Sequence, residues 1–280
     1  IESGSDLALA NKETVVMAGE FVFRLAKEKN VKIIPVDSEH SAIFHLINAH
    51  CKSIEEIILT ASGGPFRNLS LKEMEQVTPE AALAHPTWKM GKKISIDSAT
   101  MANKGLEIIE AAVFFNMPGE KIKVVIHPQS VVHSMVRLRN GIIYAQLSKP
   151  DMRHPIHDAL YWPQTVPSSL EHLSFDSLTL NFEKPDPQKF PMLSLAWNAV
   201  RHGGLYPCVY NSANEIAVAA FLERRIGFLD IPKIVGYVLE GDWSCGCCEP
   251  ETILKADTDA RSKAAAYIEE RLIRSAKEGL

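Results

Sequence analysis

Val31-Lys32-Ile33-Ile34-Pro35-Val36-Asp37-Ser38-Glu39-His40 is the stretch from which the fold is read. The run Val31–Val36 has the composition of a buried strand. Residues i and i+2 of a strand point to one face, so Asp37 and Glu39 are expected to project together from its carboxyl end. Open α/β sheets place their ligands at that end. Two like charges held close repel, and a divalent cation relieves the repulsion; oxygen donors suit a hard ion such as Mg²⁺ or Mn²⁺. The same pair also reads as two exposed acids at the start of a solvated loop.

On the N-terminal side, Asp6–Asn11 reads as a strand and Glu13–Lys29 as a helix with Val15, Val16, Phe21, Val22, Leu25 and Ala26 at roughly helical spacing. Strand, helix, strand is a βαβ unit and predicts a parallel pair. The Gly-rich dinucleotide fingerprint is absent from the sequence given. On the C-terminal side, Ser41–Cys51 reads as a helix and Glu56–Ala61 as a strand running into Ser62-Gly63-Gly64-Pro65. Those glycines either gather backbone N–H groups into an anion-binding nest or form a plain turn.

His85-Pro86-Thr87-Trp88-Lys89-Met90-Gly91 fits no periodic element. It reads as a lid that excludes water, or as a loop that buries Trp88 in the core. Ile94–Asp97 is expected to be a short strand, and Ser98-Ala99-Thr100-Met101-Ala102-Asn103-Lys104-Gly105-Leu106-Glu107 to lead into a helix ending near Phe115. Asn103, Lys104 and Glu107 then share one face, opposite Leu106, Ile109 and Val113. That face either holds hydroxyls, a phosphate and a metal, or carries a surface Lys–Glu pair. Lys123–Ile126 reads as a strand, and Val131–Val136 with Ile142–Leu147 as a hairpin around Asn140-Gly141. His154-x-x-His157 lacks a third ligand for zinc, and Cys245-x-Cys247-Cys248 is too tight for a zinc knuckle. From about Pro163 to Pro191 a proline-rich linker is expected. Helices are expected over 193–202, 213–225, 231–239 and 258–277, with Asn211–Glu215 either capping one of them or reaching into a site.

The 280 residues suffice for about two domains, and 46% hydrophobic with 23% charged residues is ordinary for a globular protein. A net charge of −4 argues against a general nucleic-acid binder. No apolar run reaches membrane-span length and no signal-peptide pattern opens the chain. Five cysteines do not form a disulfide framework and suit a reducing compartment. The opening Ile1-Glu2-Ser3-Gly4, without an initiator Met, reads as a fragment or a processed form.

Seven segments occur in the order found in one family. They are Leu9–Glu13, Pro35–His40, Thr60–Phe66, His85-Pro86-x-Trp88-x-Met90-Gly91, Asp97–Glu107 (with any residue at 102), His127–Ser130 and Pro150–Arg153. Together they resemble the 1-deoxy-D-xylulose 5-phosphate reductoisomerase family nearly end to end. The resemblance implies Asp37, Glu39 and Glu107 as metal ligands and, with Lys12, as the catalytic set. It implies Ser62, Ser98, Asn103 and Lys104 at the substrate phosphate and nearby hydroxyls, Lys12, Ser38 and His85 on the rest of the substrate, and Trp88 and Met90 on a lid. Asn11, Glu13 and Gly91 are implied at NADPH.

The implied fold class is α/β and α+β. Residues 1–36 would end a Rossmann-like NADPH domain, 37–162 would form a central α/β catalytic and dimerisation domain, 163–191 a linker, and 192–280 a helical bundle. The implied reaction rearranges 1-deoxy-D-xylulose 5-phosphate and reduces the product to 2-C-methyl-D-erythritol 4-phosphate, using NADPH and Mg²⁺ or Mn²⁺, in non-mevalonate isoprenoid synthesis. The implied partners are a sugar phosphate and a second copy of the chain, with no nucleic acid and no membrane; the implied location is bacterial cytoplasm or plastid stroma. The missing fingerprint sets a truncated chain against this, one that binds metal and sugar phosphate as an isomerase only or as a non-catalytic fragment.

Overall fold

The computed structural model describes residues 1–50, 54–84, 90–246 and 249–278, with the side chains of 50 and 274–278 left aside. His85, Trp88, Cys51, Cys247 and Cys248 lie outside the described residues. In chain order the elements are β1 (Leu7–Leu9), α1 (Lys12–Glu28), β2 (Ile33–Pro35), α2 (Ser38–His50), β3 (Ile54–Ala61), α3 (Leu71–Met74), α4 (Pro79–Leu83), α5 (Lys92–Ala99) and α6 (Ala102–Phe114). Then follow β4 (Ile122–Ile126), β5 (Val132–Leu138), β6 (Ile143–Leu147), α7 (Arg153–Tyr161), α8 (Pro191–His202), α9 (Tyr206–Leu222), α10 (Asp230–Leu239) and α11 (Pro250–Glu278). The chain is therefore a mixed α/β protein. It divides into one unit of Ile1–Val15, Gly19–Gly63 and Glu110–Pro185, and another of Val16–Ala18, Gly64–Ile109 and Asp186–Leu280.

In the first unit β1 and β2 pair in parallel, Leu7 with Ile33 and Leu9 with Pro35, as the βαβ reading requires. Asn11 starts α1 by accepting from the Thr14 N–H at 2.8 Å. Leu9, Val15, Ala26 and Ile33 form the core beneath, with Val22, Phe23, Val113 and Phe114 packed on it. The larger sheet runs β4-β3-β5-β6. β3 is parallel to β4 and antiparallel to β5, and β5 and β6 form the expected hairpin. Residues 163–185 contain no named helix or strand, and Glu183 makes a single antiparallel bridge to Ile126. α7 arises where the sequence reading placed no helix, and it carries His154 and His157.

Two expectations, one in each unit, fail for identifiable reasons. α2 begins at Ser38 rather than Ser41, because Asp37 caps it: the Glu39 N–H donates to Asp37 Oδ1 at 3.1 Å and the Ser41 N–H to the Asp37 carbonyl at 2.8 Å. Glu39 thus lies in a first helical turn, and the shared-strand-face argument does not apply. Ile94–Asp97 is not a strand but the middle of α5. Adjacent Ser95, Ile96 and Asp97 are all buried, which a strand with one covered face does not allow. The Ser95 hydroxyl donates to the Gly91 carbonyl at 3.0 Å, a helical i−4 bond.

The second unit is built around the four long helices α8–α11. Phe190, Met192, Val209, Tyr210, Phe221, Ile231, Ile234, Val235 and Ala260 are buried in it. The expected helix starting near 213 begins at Tyr206, so Asn211–Glu215 sits inside α9 and cannot cap it. Met101, at φ 62°, separates α5 from α6.

Gly105 of α6 faces Tyr210, and a Cβ there would fall 2.1 Å from Tyr210 Oη and 3.1 Å from Ala196 Cβ. Propensity favours Ala over Gly in a helix by about 1 kcal/mol, but the crowding here reverses the sign. Gly105→Ala is expected to destabilise by about 1–3 kcal/mol, as overpacking does. A urea midpoint equal to the wild type's would refute this. Cys208 is buried and its thiol is pushed up to about 11, first by burial. It is expected to stay unlabelled by a thiol reagent at pH 8 until denaturant is added; labelling of the native protein at Cys208 would refute this.

Candidate functional site

In the first unit the site residues gather where α1 and α2 begin. Lys12, in the first turn of α1, places Nζ 2.8 Å from Asp37 Oδ2, with side-chain exposures of only 9% and 14%. The other oxygen, Oδ1, lies 3.3 Å from His40 Nδ1. Burial opposes charge on Asp37, yet the Lys12 ammonium and the His40 hydrogen bond prevail and hold the carboxyl well below the usual carboxylate range. The Ser38 hydroxyl donates to Glu39 Oε2 at 2.6 Å. Oxygens of Asp37 and Glu39 come within 4.8 Å of each other. The pairing expected from the sequence is therefore present, produced by a helix cap instead of a strand. Ser62 is half-buried in the loop after β3, and Gly63 and Gly64 both have positive φ, 81° and 65°. Two successive positive φ values suit glycine and serve a tight turn as well as a backbone that presents N–H groups to an anion.

In the second unit α5 and α6 carry the remaining candidates. Ser98 is in the last turn of α5, not ahead of a helix start as expected. Asn103 Nδ2 donates to Glu107 Oε1 at 2.6 Å, and Lys104 Nζ donates to Glu107 Oε2. Lys104 and Glu107 are 4% and 1% exposed, so the surface-pair alternative fails and an ammonium and a carboxylate are held together in the interior. A buried pair of this kind is costly to desolvate and argues for use rather than for stability. Gly64 approaches the end of α5 so closely that a Cβ would meet the Ser98 carbonyl oxygen at 2.7 Å.

Met90 is half-buried, and Gly91 precedes α5, with no described atom within 4 Å of a Cβ placed on it. Asn11 and Glu13 are engaged with each other and with the start of α1, Asn11 Nδ2 lying 3.4 Å from Glu13 Oε2.

Further residues hold these groups, among them Asn214 of the Asn211–Glu215 stretch that was expected to cap a helix or reach into a site. Asn214 Nδ2 donates to Asp97 Oδ1 at 2.7 Å, and Lys93 Nζ lies 3.0 Å from Asp97 Oδ2. Tyr210 donates to the Met192 carbonyl at 3.3 Å, and burial followed by the nearby Asp97 charge raises its pKa well above the usual phenol value. Oxygens of Asp37 and Glu110 and a ring nitrogen of His40 all lie within 4.8 Å of one another. A periodicity signal for Glu110 existed, three residues after Glu107, but nothing in spacing alone marks a buried acid.

A family profile described as the 1-deoxy-D-xylulose 5-phosphate reductoisomerase C-terminal domain matches residues 33–115, and a second, described as the DXP reductoisomerase C-terminal domain, matches residues 147–263. The chain is 54% identical over 270 residues to the 1-deoxy-D-xylulose 5-phosphate reductoisomerase of Chlorobium chlorochromatii, covering 96% of this chain and 71% of that protein. It is 52% identical to the Treponema denticola protein of the same name, over 97% of this chain and 72% of that one. The reductoisomerase of Zymomonas mobilis, solved with NADPH, superposes with a TM-score of 0.89 at 48% identity, over 95% of this chain and 69% of that one. A reductoisomerase solved with NADPH, fosmidomycin and magnesium gives a TM-score of 0.88 at 42% identity, over 95% of this chain and 71% of that one.

Proposed function

The chain belongs to the 1-deoxy-D-xylulose 5-phosphate reductoisomerase family and so to the enzymes of isoprenoid biosynthesis, and we propose that it acts in the metal- and NADPH-dependent conversion of 1-deoxy-D-xylulose 5-phosphate to 2-C-methyl-D-erythritol 4-phosphate. The observation that carries this reading is the Lys12–Asp37–Glu39 cluster at the start of α2, with its charges held in place by named donors. Asp37, Glu39 and Glu107 are the ligands in this reading. They fit a hard divalent ion, because all three donors are carboxylate oxygens and no thiolate or imidazole is among them. A bound Mg²⁺ or Mn²⁺ supplies Lewis-acid polarisation of the substrate carbonyl.

The side chains position what the ion and the cofactor act on. Lys12 clamps one oxygen of Asp37 and leaves the carboxylate ionised. Ser38 holds Oε2 of Glu39, and Asn103 and Lys104 hold the two oxygens of Glu107. Ser62, Ser98, Asn103 and Lys104 are assigned to the substrate phosphate, supported by the positive-φ glycines beside Ser62. Lys12, Ser38 and His85 are assigned to the rest of the sugar. Phosphate binding then contributes free energy for closing a lid bearing Trp88 and Met90. NADPH supplies the hydride. Asn11, Glu13 and Gly91 are its assigned contacts.

The domain layout proposed is the one expected from the sequence: 1–36 at the end of a cofactor domain, 37–162 catalytic, 163–191 linker and 192–280 helical. A homodimer through the catalytic domain is supported by β6, an edge strand whose exposed Ile143 and Tyr144, with neighbouring Ile142, are unusual for an edge facing water. Sedimentation of the chain should then give twice its mass; a monomer at micromolar concentration would refute the dimer.

Calorimetric titration with 1-deoxy-D-xylulose 5-phosphate, with and without Mn²⁺, followed by NADPH, tests the whole reading. Metal-dependent sugar-phosphate binding and consumption of NADPH are expected. Metal-dependent binding without NADPH consumption would leave an isomerase-only chain. A folded chain with no metal-dependent binding would remove the reading.

A further inference from the structure

We infer that Glu110, acting through His40, is a positioning residue for the Asp37 carboxylate and thereby sets the affinity of the ion site. The inference rests on the reading of Asp37 as a ligand. His40 is fully buried in the first turn of α2. Its ring stacks on Phe115, centroids 6.2 Å apart at 11°, and tilts against Phe114 at 6.1 Å. Nδ1 is 3.3 Å from Asp37 Oδ1 and 3.3 Å from Glu110 Oε2.

Both neighbours of Nδ1 are carboxylate oxygens, which accept and do not donate when ionised. A hydrogen on Nδ1 serves the Asp37 hydrogen bond, and the Glu110 carboxylate 3.3 Å from the same ring atom favours that tautomer. Glu110 is 1% exposed. Its carboxylate beside the ring favours the tautomer and orientation that present an N–H to Asp37. The aromatic pair fixes the ring plane; Glu110 fixes which ring atom faces the ligand. With Lys12 on Oδ2, and His40 and the Glu39 N–H on Oδ1, Asp37 is held at both oxygens. Removing the Glu110 charge frees the ring to turn a lone pair toward Asp37, which the carboxylate would oppose. Outer groups that orient a metal ligand in this way are worth about 10- to 100-fold in metal affinity.

The test is Mn²⁺ titration of the full chain, free Mn²⁺ being read by electron paramagnetic resonance, for wild type, Glu110→Gln, His40→Phe and the double variant. Thermal melts of the metal-free proteins check that each is folded; His40→Gln replaces His40→Phe if the latter is not. The expected result is one ion per chain, about 10- to 100-fold weaker in Glu110→Gln. In the His40 variant background the Glu110 substitution should add little, because its route of action is gone. A merely structural role would leave the two losses multiplicative. Unchanged affinity in Glu110→Gln, multiplicative losses, or a wild type binding two ions that falls to one in Glu110→Gln would each overturn the inference. A folded wild type that binds no Mn²⁺ would instead overturn the reading of Asp37 as a ligand, and this inference with it.

Discussion

Asp37→Asn is expected to weaken Mn²⁺ binding by about 10²- to 10³-fold and to remove turnover, while the protein stays folded. Breaking a buried charge pair costs about 3–5 kcal/mol, and each 1.4 kcal/mol is about a factor of ten in affinity. Asn keeps the shape of the side chain and still accepts at the helix start, where Asn and Asp cap about equally well. The Glu39 N–H at 3.1 Å therefore retains its acceptor and α2 its first turn. What is lost is the negative charge facing Lys12 at 2.8 Å and the anionic oxygen offered to the ion. Calorimetric titration with Mn²⁺ compares the variant with wild type, and circular dichroism monitors the fold. Equal affinities in the two folded proteins would show that Asp37 is not a ligand.

Gly64→Ala is expected to be the most damaging glycine substitution near the site, at about 2–5 kcal/mol of stability. Gly64 has φ 65°, and a non-glycine residue there costs about 1–2 kcal/mol. The new Cβ would also meet Ser98 O at 2.7 Å and Ala99 Cα at 3.0 Å. Both are backbone atoms of α5 and cannot swing aside, so overpacking adds about 1–3 kcal/mol. The strain falls on Ser98, one of the residues assigned to the phosphate. Weaker binding of the sugar phosphate should therefore accompany the lower denaturant midpoint, even at temperatures where the variant is fully folded. A variant with wild-type midpoint and wild-type sugar-phosphate affinity would contradict both the close approach and the assignment of Ser98.

The parts of the fold that follow local rules were readable in the chain. The β1–α1–β2 unit announces itself by an apolar run, a periodic helix with a capping Asn11, and a second apolar run. The β5–β6 hairpin is marked by Asn140-Gly141, and Gly141 has the positive φ such a turn needs. The helices of the second unit declare themselves by length and periodicity. Short segments did not. Ile94-Ser95-Ile96-Asp97 satisfies a strand pattern and a helical turn equally well, and only burial of three adjacent side chains decides for the helix. Asp37-Ser38-Glu39 looked like a strand end because the capping role of Asp37 depends on where its carboxylate turns.

The candidate site divides the same way. The identities of Asp37, Glu39, Lys104 and Glu107 are set by the residue types that hard ions and phosphates require, and those types and their order are written in the chain. The partners that hold such groups come from far along it: Asn214 meets Asp97 across 117 residues, and Arg137 pairs with Glu56 across 81. Glu110 reaches His40 by the same kind of long-range meeting. The sequence by itself determined the family, the βαβ start, the hairpin, the helical tail and the chemistry of the ligand set, because each rests on local pattern or residue type. Only the tertiary structure decided that Lys104 and Glu107 are buried, that Gly105 must yield to Tyr210, and that an imidazole joins two acids. These depend on which distant surfaces exclude water from a side chain and which atoms are left to satisfy it.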